Sequence, residues 1–492
     1  MSQATHFETA PEDRIPFIQK LIYGMGAFAN NLLAAASGGL LIVLNLALGM
    51  NPALIGLLGL IPRMFDAITD PMMGYISDNT RSRWGRRRPY IFCGAILAGL
   101  VFALIWQLPR GHSESFYFWF MLVGMLVFFL FYTMFATPWV ALGYELTPDY
   151  KERTRLMGTQ NFIGQFPYLL SPWFLYFVQR ESLFDDMVDG VGSLAIMIGV
   201  GTIIIGILPA VFLRERETTA PDVADAKLKG PARQGESSLM RNMREFFAGF
   251  LETVKSKPFL KLCAATFLIF NGFIMIAAFQ FYVIAYYIFD GDTDLGAKYA
   301  GWVGTVSFFS TLVVIPIVTW LGTHVGKRKA FYVAIGLSML GYALKWPCYN
   351  PDYPWLIFLP APLLAFGLGG LFTLMPSMIA DVVDLDELET NERREGMFGS
   401  IFWWVVKLGQ AVALFAGGLL LNWTGFDVNI DGSQAEQTKY LLRVCDVMFP
   451  LVAYGLAVWA VASFSITEKR ANEVRALLEE RRGKSAPAAG AL

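Results

Sequence analysis

The chain has 492 residues, of which 55% are hydrophobic and 15% are aromatic, and its mean hydropathy is +0.47. This composition, with its many long uninterrupted apolar segments, excludes an ordinary soluble globular protein and indicates a protein that crosses a membrane several times. The formal net charge of −1 gives no indication of a nucleic-acid partner.

Apolar runs of about 20 residues, the length that spans a bilayer, follow one another along the chain. Twelve such segments lie at residues 19–48, 53–77, 89–109, 116–146, 156–179, 190–213, 258–289, 297–322, 330–349, 354–383, 397–423 and 441–467. They predict an all-α membrane protein of twelve transmembrane helices, with an N-terminal half (19–213) and a C-terminal half (258–467) of six helices each.

The loops that follow even-numbered segments are the basic ones. They hold Arg81, Arg83, Arg86, Arg87, Arg88, Lys151, Arg153, Arg155, Lys327, Arg328, Lys329, Arg393 and Arg394, whereas the opposite loops hold little beyond Arg110, Arg180, Lys298 and Lys439. Basic loops stay in the cytoplasm. We therefore expect residues 1–18 and 468–492 to be cytoplasmic tails of a multi-pass protein of the cell membrane, such as a bacterial inner membrane.

Two carboxylates interrupt the second segment. Asp66 and Asp70 are four residues apart and Arg63 precedes Asp66 by three, so on a helix all three side chains share one side. At a rise of about 1.5 Å per residue, both acids lie in the middle third of the bilayer. A carboxylate at that depth costs at least about 2.5 kcal/mol, so it must face water, bind a cation or pair with a base.

One interpretation of these acids is an ion pair with Arg63 within the helix, although one arginine cannot neutralise two carboxylates. Two neighbouring acids repel each other, which favours a bound Na⁺ or a shared proton, and we predict a cation-coupling site. His6, His112 and His324 lie outside the helix centres, and the four cysteines lack metal spacing. We therefore expect no cofactor beyond the transported H⁺ or Na⁺, and no enzyme activity.

Residues 214–257 form the predicted cytoplasmic linker between the two halves. Its first part is polar, and from Ser238 onward apolar residues recur at three- and four-residue spacing with charged residues on the other face. This pattern predicts an amphipathic helix on the cytoplasmic membrane surface. The many charged residues in the tail at 468–492 predict a charged, solvated helix without a binding role.

The two halves also repeat weakly. Residues 85–90 (GRRRPY) match residues 326–331 (GKRKAF) at a shift of 241, and Glu152-Arg153 match Glu392-Arg393 at a shift of 240. Two matches at nearly one offset, both in cytoplasmic loops, favour parallel repeats of six helices.

The run from Asp66 to Tyr90, DAITDPMMGYISDNTRSRWGRRRPY, resembles the helix II signature of the glycoside-pentoside-hexuronide:cation symporters. This is the group of the major facilitator superfamily that includes melibiose permease. Further similar stretches are Tyr132-Thr133, KERTRLMG at 151–158, ADVVDLDELETNERREGMFG at 380–399, and Lys407. Because they lie in both halves, the resemblance implies the major facilitator fold and transport by alternating access.

In that family the two helix II acids are cation ligands joined by a helix IV threonine. The resemblance therefore implies these roles for Asp66, Asp70 and Thr133, and oxygen ligands suit Na⁺. Thr69 stands at the position that the family associates with ion choice, where asparagine is usual, so H⁺ and Na⁺ both stay open. Lys407, near the middle of its segment, is expected as a charge partner of the acids, with a structural lysine as the alternative.

The substrate residues depart from the family pattern. Melibiose permease has charged sugar-binding residues where this chain has Asn31, Ala136 and Asn161, so galactoside recognition does not follow. Asn31 and Asn161 are candidates to bind hydroxyl groups, with Trp139 or Trp403 against a sugar ring. The equal alternative is that each asparagine packs and bonds to a neighbouring helix.

Charged residues also cluster toward the cytoplasmic ends of the segments. The candidates for a breakable inner gate are Glu145, Arg153, Asp381, Asp384, Arg393 and Arg394. Surface solvation explains each of them alone, whereas as a set they suit two repeats that rock against each other.

The sequence thus predicts a secondary active transporter that moves a small polar solute, a sugar or a glycoside, by symport with H⁺ or Na⁺. Coupling requires that each ligand raise the affinity for the other. We expect a monomer in the lipid bilayer. Two rivals stay open: a carrier of an amphiphile such as a lysophospholipid, and a transport-inactive membrane sensor.

Overall fold

The computed structural model describes residues 14–147, 150–215, 253, 255–390, 395–428, 430, 434–464, 466 and 468–481. Every regular element in these ranges is helical, which confirms the predicted all-α class. The chain divides into two compact units, Met1–Leu239 and Met240–Leu492. The amphipathic helix predicted from Ser238 lies outside the described residues.

Among the described residues, the first unit contains ten α-helices. They are α1 (Phe17–Gly39), α2 (Leu41–Leu48), α3 (Pro52–Asn79), α4 (Arg88–Ile105), α5 (Glu114–Glu145), α6 (Tyr150–Gly164), α7 (Phe166–Leu170), α8 (Phe174–Val178), α9 (Met187–Gly206) and α10 (Leu208–Phe212). Polar side chains begin several of them: Asn51 accepts from the Ala53 amide at 2.8 Å, and Asp186 accepts from the Asp189 amide at 2.9 Å. These caps satisfy backbone donors that a helix start leaves unpaired.

The described residues of the second unit form seven α-helices. They are α11 (Lys257–Tyr282), α12 (Thr293–His324), α13 (Lys327–Cys348), α14 (Pro360–Thr390), α15 (Glu395–Trp423), α16 (Glu436–Ala462) and α17 (Glu468–Arg481). A six-residue π-helix, Val283–Ile288, continues α11, and a 3₁₀ turn, Pro354–Phe358, precedes α14.

Ten of the twelve predicted segments are, among the described residues, helices long and apolar enough to cross a membrane. The segment at 156–179 is divided among α6, α7, a 3₁₀ turn and α8, because Pro167 and Pro172 each remove a backbone donor. The segment at 330–349 forms the continuous helix α13, which carries Lys345 in its interior. All twelve predicted segments are helical, consistent with the predicted count.

The weak repeat has a structural counterpart in each unit. Gly85 and Gly326 precede the third helix of their halves, with φ of +100° and +89°, which favours glycine. Just beyond them, the guanidinium of Arg88 donates to the carbonyl of Ala210, and that of Arg328 donates to the carbonyl of Ala462, both at 2.5 Å. In each unit, an arginine thus satisfies carbonyls at the end of the unit's last membrane helix.

The tail helix α17 differs from the solvated extension expected from its charge. It packs against α14, with Val474 and Leu478 only 1% and 3% exposed. These two residues are four apart and therefore share one helix face. A short apolar stripe within a charged sequence is enough to dock the helix.

Candidate functional site

The carboxylate of Asp66 lies near the middle of α3 and is fully buried. Thr133 on α5 donates to Asp66 Oδ1 at 2.7 Å. Thr69, one turn along α3, donates to the Asp66 carbonyl at 3.2 Å, and its Oγ1 lies 3.3 Å from Thr133 Oγ1. The structure therefore brings together three of the predicted cation-site residues in unit 1.

The carboxylate of Asp70 has a partner that the sequence analysis missed. Thr137 on α5 donates to Asp70 Oδ1 at 3.1 Å. The signal was present in the spacing, because Thr133 and Thr137 are four residues apart, as Asp66 and Asp70 are. Residues four apart lie on the same face of a helix, so a contact between two parallel helices is repeated one turn later.

Arg63, the other predicted charge partner, is also buried, at 8% exposure. Its guanidinium carbon lies 4.8 Å from the ring centroid of Phe129 on α5, a cation–π geometry. The flat guanidinium thus lies against an aromatic face, one turn from Asp66.

The chemistry of this site is that of oxygen ligands. Two carboxylates and three hydroxyls lie on α3 and α5, and the described residues contain no cluster of three or more His, Cys, Asp or Glu that would hold a metal ion. Oxygen donors of this kind suit hard cations or a proton rather than transition metals.

Lys407, the predicted partner of the acids, belongs to the other unit. It lies on α15 and is half-buried. Its proximity to Asp66 and Asp70 stays a prediction.

Trp139 packs in the core of unit 1. It is 2% exposed, its ring stacks on Tyr23 at 5.2 Å and on Phe135 at 6.4 Å, and its Nε1 donates to the Tyr23 carbonyl at 3.2 Å. Neighbouring side chains cover both ring faces, so Trp139 supports α1 from within the core.

The other substrate candidates are in different surroundings. Asn31 Nδ2 donates to the Gly164 carbonyl at 2.7 Å, the helix-to-helix bond of the packing alternative. Asn161 is exposed, and Gln165 donates to its Oδ1 at 3.1 Å. Trp403 is 55% exposed and stacks on Phe372 at 6.1 Å.

The gate candidate Glu145 has two basic partners in its own unit. Arg86 and Arg87 donate to Glu145 Oε1 at 2.8 and 2.7 Å, and Arg87 also donates to Ser77 at 3.0 Å. These bonds join the ends of α3 and α5 to the basic loop.

In unit 2, the gate candidate Asp381 is paired with Lys327 at 2.7 Å. Asp384, one turn later on α14, is half-buried. Arg393 and Arg394 lie outside the described residues, as does the side chain of Arg153. Glu145 and Asp381 thus each pair with basic residues of their own unit, which sequence spacing had not indicated.

Glu152, at the start of α6, binds the segment that enters α1. Lys20 lies 2.6 Å from its carboxylate, and the Ile15 amide donates to it at 3.0 Å. Burial raises the pKa of Glu152, but the bonds from Lys20, Ile15 and Arg155 outweigh burial and hold the pKa below its usual range.

A second buried charge pair, also missed, lies in unit 2. Lys345 on α13 and Asp446 on α16 are 2.6 Å apart, and each side chain is 1% exposed. The Lys345 ammonium also lies 5.0 Å from the ring centroid of Tyr349. Opposite charges this deep in apolar helices stabilise the fold only as a pair.

Comparison with known proteins supports a transporter. A family model described as MFS/sugar transport protein matches residues 22–468. An uncharacterized symporter of Synechocystis sp. is 26% identical, over 95% of this chain and 98% of that protein. A glucuronide carrier protein homolog of Escherichia coli is 23% identical, over 94% and 95%, and a sodium-dependent lysophosphatidylcholine symporter of Danio rerio is 22% identical, over 96% and 91%.

Solved structures agree on the fold. The crystal structure of a D-xylose-proton symporter superposes with a TM-score of 0.61, covering 92% of this chain and 98% of that one, at 14% identity. An identity this low shows a shared fold and nothing finer. The expected major facilitator fold, and the resemblance carried by the helix II motif, are confirmed.

Proposed function

Because this chain belongs to the family of MFS/sugar transport proteins, we propose that it is a cation-coupled symporter of a sugar or a glycoside. The observation that carries the proposal is the pair of carboxylates on α3, fully buried at Asp66 and half-buried at Asp70, each bonded to a threonine of α5. An intramembrane acid is costly unless it binds a cation or a base. The name of the glucuronide carrier homolog supports the solute class.

The proposed mechanism uses Asp66 and Asp70 as the coupling site. A cation that enters between the carboxylates offsets their repulsion and their desolvation. Solute and cation then each raise the protein's affinity for the other. With both bound, the protein changes conformation so that the binding site opens to the opposite side of the membrane. Lys407 is proposed to neutralise the acids when no cation is bound.

The charged ends of the helices are proposed as parts of the inner gate. The bonds of Glu145 to Arg86 and Arg87, and of Asp381 to Lys327, hold each half's cytoplasmic end in one arrangement. The side chains of Arg86 and Lys327 are 36% and 37% exposed, so their pairs should open at smaller cost than the pair of Arg87, which is 8% exposed. We place the protein in the cell membrane with both termini cytoplasmic, on the basis of the loop charges.

A ligand screen on the purified protein tests this function. Sugars, glycosides and uronides are added with Na⁺ or with choline, and the unfolding temperature is measured. A transported solute raises the unfolding temperature progressively as its concentration exceeds its dissociation constant, and more so with the coupling cation present. Absence of any stabilising polar solute, together with absence of gradient-driven uptake in proteoliposomes, would refute the proposal.

An amphiphile carrier is the second candidate. The supporting observation is the lysophosphatidylcholine symporter, which matches over 96% of this chain and 91% of its own length. Including lysophosphatidylcholine in the same screen separates the two classes, because a sugar symporter gains no stability from it. Stabilisation by the lysolipid alone would favour the amphiphile carrier.

A further inference from the structure

Thr137 is the residue of the cation region that neither the motif nor the family resemblance had indicated. Its hydroxyl donates to Asp70 Oδ1 at 3.1 Å, and the Thr133 hydroxyl donates to Asp66 Oδ1 at 2.7 Å. Both bonds join residues that are 67 positions apart in the chain. The site therefore contains two carboxylate–hydroxyl pairs with the same separation in sequence.

The equal sequence separation of the two pairs determines the relative direction of α3 and α5. Paired residues advance together along both chains, so α3 and α5 run in the same direction here. Four residues correspond to about 6 Å along a helix, so the two pairs lie one turn apart. Thr69 adds a third hydroxyl, 3.3 Å from Thr133 Oγ1, on the side of the Asp66 pair.

The threonine hydroxyls are important because a proton and an alkali cation need different numbers of oxygen ligands. A threonine hydroxyl has one hydrogen and two lone pairs, so it can donate to a carboxylate and still offer oxygen to a cation. A transported proton needs one carboxylate and no further oxygens, whereas an alkali cation needs several around it. Pro71, which directly follows Asp70, cannot donate to the Ala67 carbonyl and leaves that oxygen without its helical donor.

We propose that Thr137 is a positioning and selectivity residue of the coupling site, which orients Asp70 and supplies a hydroxyl oxygen to a bound alkali cation of the Na⁺ class. This inference rests on the proposed function, since it assumes that Asp70 binds the transported cation. The plain alternative is a hydroxyl that only joins two helices. That alternative predicts a loss of stability without any change in cation affinity.

The test titrates the purified full-length protein with NaCl or LiCl, in choline chloride at constant ionic strength, and follows the unfolding temperature. Thr137→Val removes the hydroxyl and keeps the shape, whereas Thr137→Ser keeps the hydroxyl. Thr202→Val is the matched control, because Thr202 is fully buried on α9 and its hydroxyl has no partner among the described residues. The unfolding temperature in choline chloride alone shows whether each variant is folded. If Thr137→Val is unstable, Thr137→Ala replaces it.

We expect Thr137→Val to need a Na⁺ concentration that is about tenfold higher or more for the same rise in unfolding temperature, in line with the loss of an oxygen ligand and of a bond to a charged group. Thr137→Ser and Thr202→Val should stay near the wild type. Suppose that Thr137→Val needs the same Na⁺ concentration as the wild type, while Asp70→Asn abolishes the Na⁺ effect. That result would overturn the inference about Thr137, and the proposed coupling site at Asp70 would still hold. A wild type that neither Na⁺ nor Li⁺ stabilises would also overturn it, and gradient-driven uptake would then decide proton coupling separately.

Discussion

The Lys345–Asp446 pair leads to a sharp prediction about stability. The two side chains join α13 to α16 at 2.6 Å and are each 1% exposed. Removing one charge leaves the other buried without a partner, and such a change typically costs about 3 to 5 kcal/mol. We therefore expect Asp446→Asn and Lys345→Met each to lower the unfolding temperature strongly.

The double variant with Lys345→Met and Asp446→Leu should be more stable than either single variant. Replacing both charges by apolar side chains removes the desolvation cost as well as the attraction. The assay is thermal unfolding in detergent, followed by tryptophan fluorescence. Arg110→Gln is the control, because its bridges to Asp186 and Asp189 are exposed and should contribute nothing measurable. Additive losses in the double variant would refute the reasoning, because independent residues add.

Three further predictions follow from other parts of the chain. Glu152→Gln should lower the unfolding temperature near neutral pH. Because the folded-state pKa of Glu152 is lowered, the difference between wild type and variant should be full above the unfolded-state pKa of about 4.3, shrink as the pH falls below it, and vanish only below the folded-state pKa. Gly85→Ala should destabilise the protein by about 1 to 3 kcal/mol, because φ is +100° and an added Cβ would meet the Glu215 carboxylate; an unchanged unfolding temperature would contradict this. A reporter fused after residue 492 should be active only as a cytosolic one, and external activity would reverse the orientation.

The sequence predicted the helices well because length and apolarity alone define a membrane span. It also placed Asp66 and Asp70 on one face, since that depends only on the helix period. The partner of Asp70 was not predicted, although Thr137 follows Thr133 by four residues, because the apolar pattern of helix α5 does not by itself show which side meets α3.

Long-range charge pairs were missed for a related reason. Lys345 and Asp446 are 101 residues apart, and no spacing rule relates residues on helices that meet only in the folded bundle. A usable signal existed, since two opposite charges deep in apolar segments must each find a partner. The role of Trp139 was equally hidden, because an aromatic residue suits a sugar face and a helix core alike.

The most direct test of the coupling site measures solute accumulation in proteoliposomes under an imposed Na⁺ or H⁺ gradient. The wild type is compared with Asp66→Asn and Asp70→Asn, which keep size and hydrogen bonding but remove one charge each. A cation held by two carboxylates loses about half of its Coulomb attraction when one charge is removed. We predict that accumulation collapses in both variants, whereas solute counterflow, which needs no net cation movement, survives in part. Accumulation as steep as that of the wild type in both variants would contradict the account.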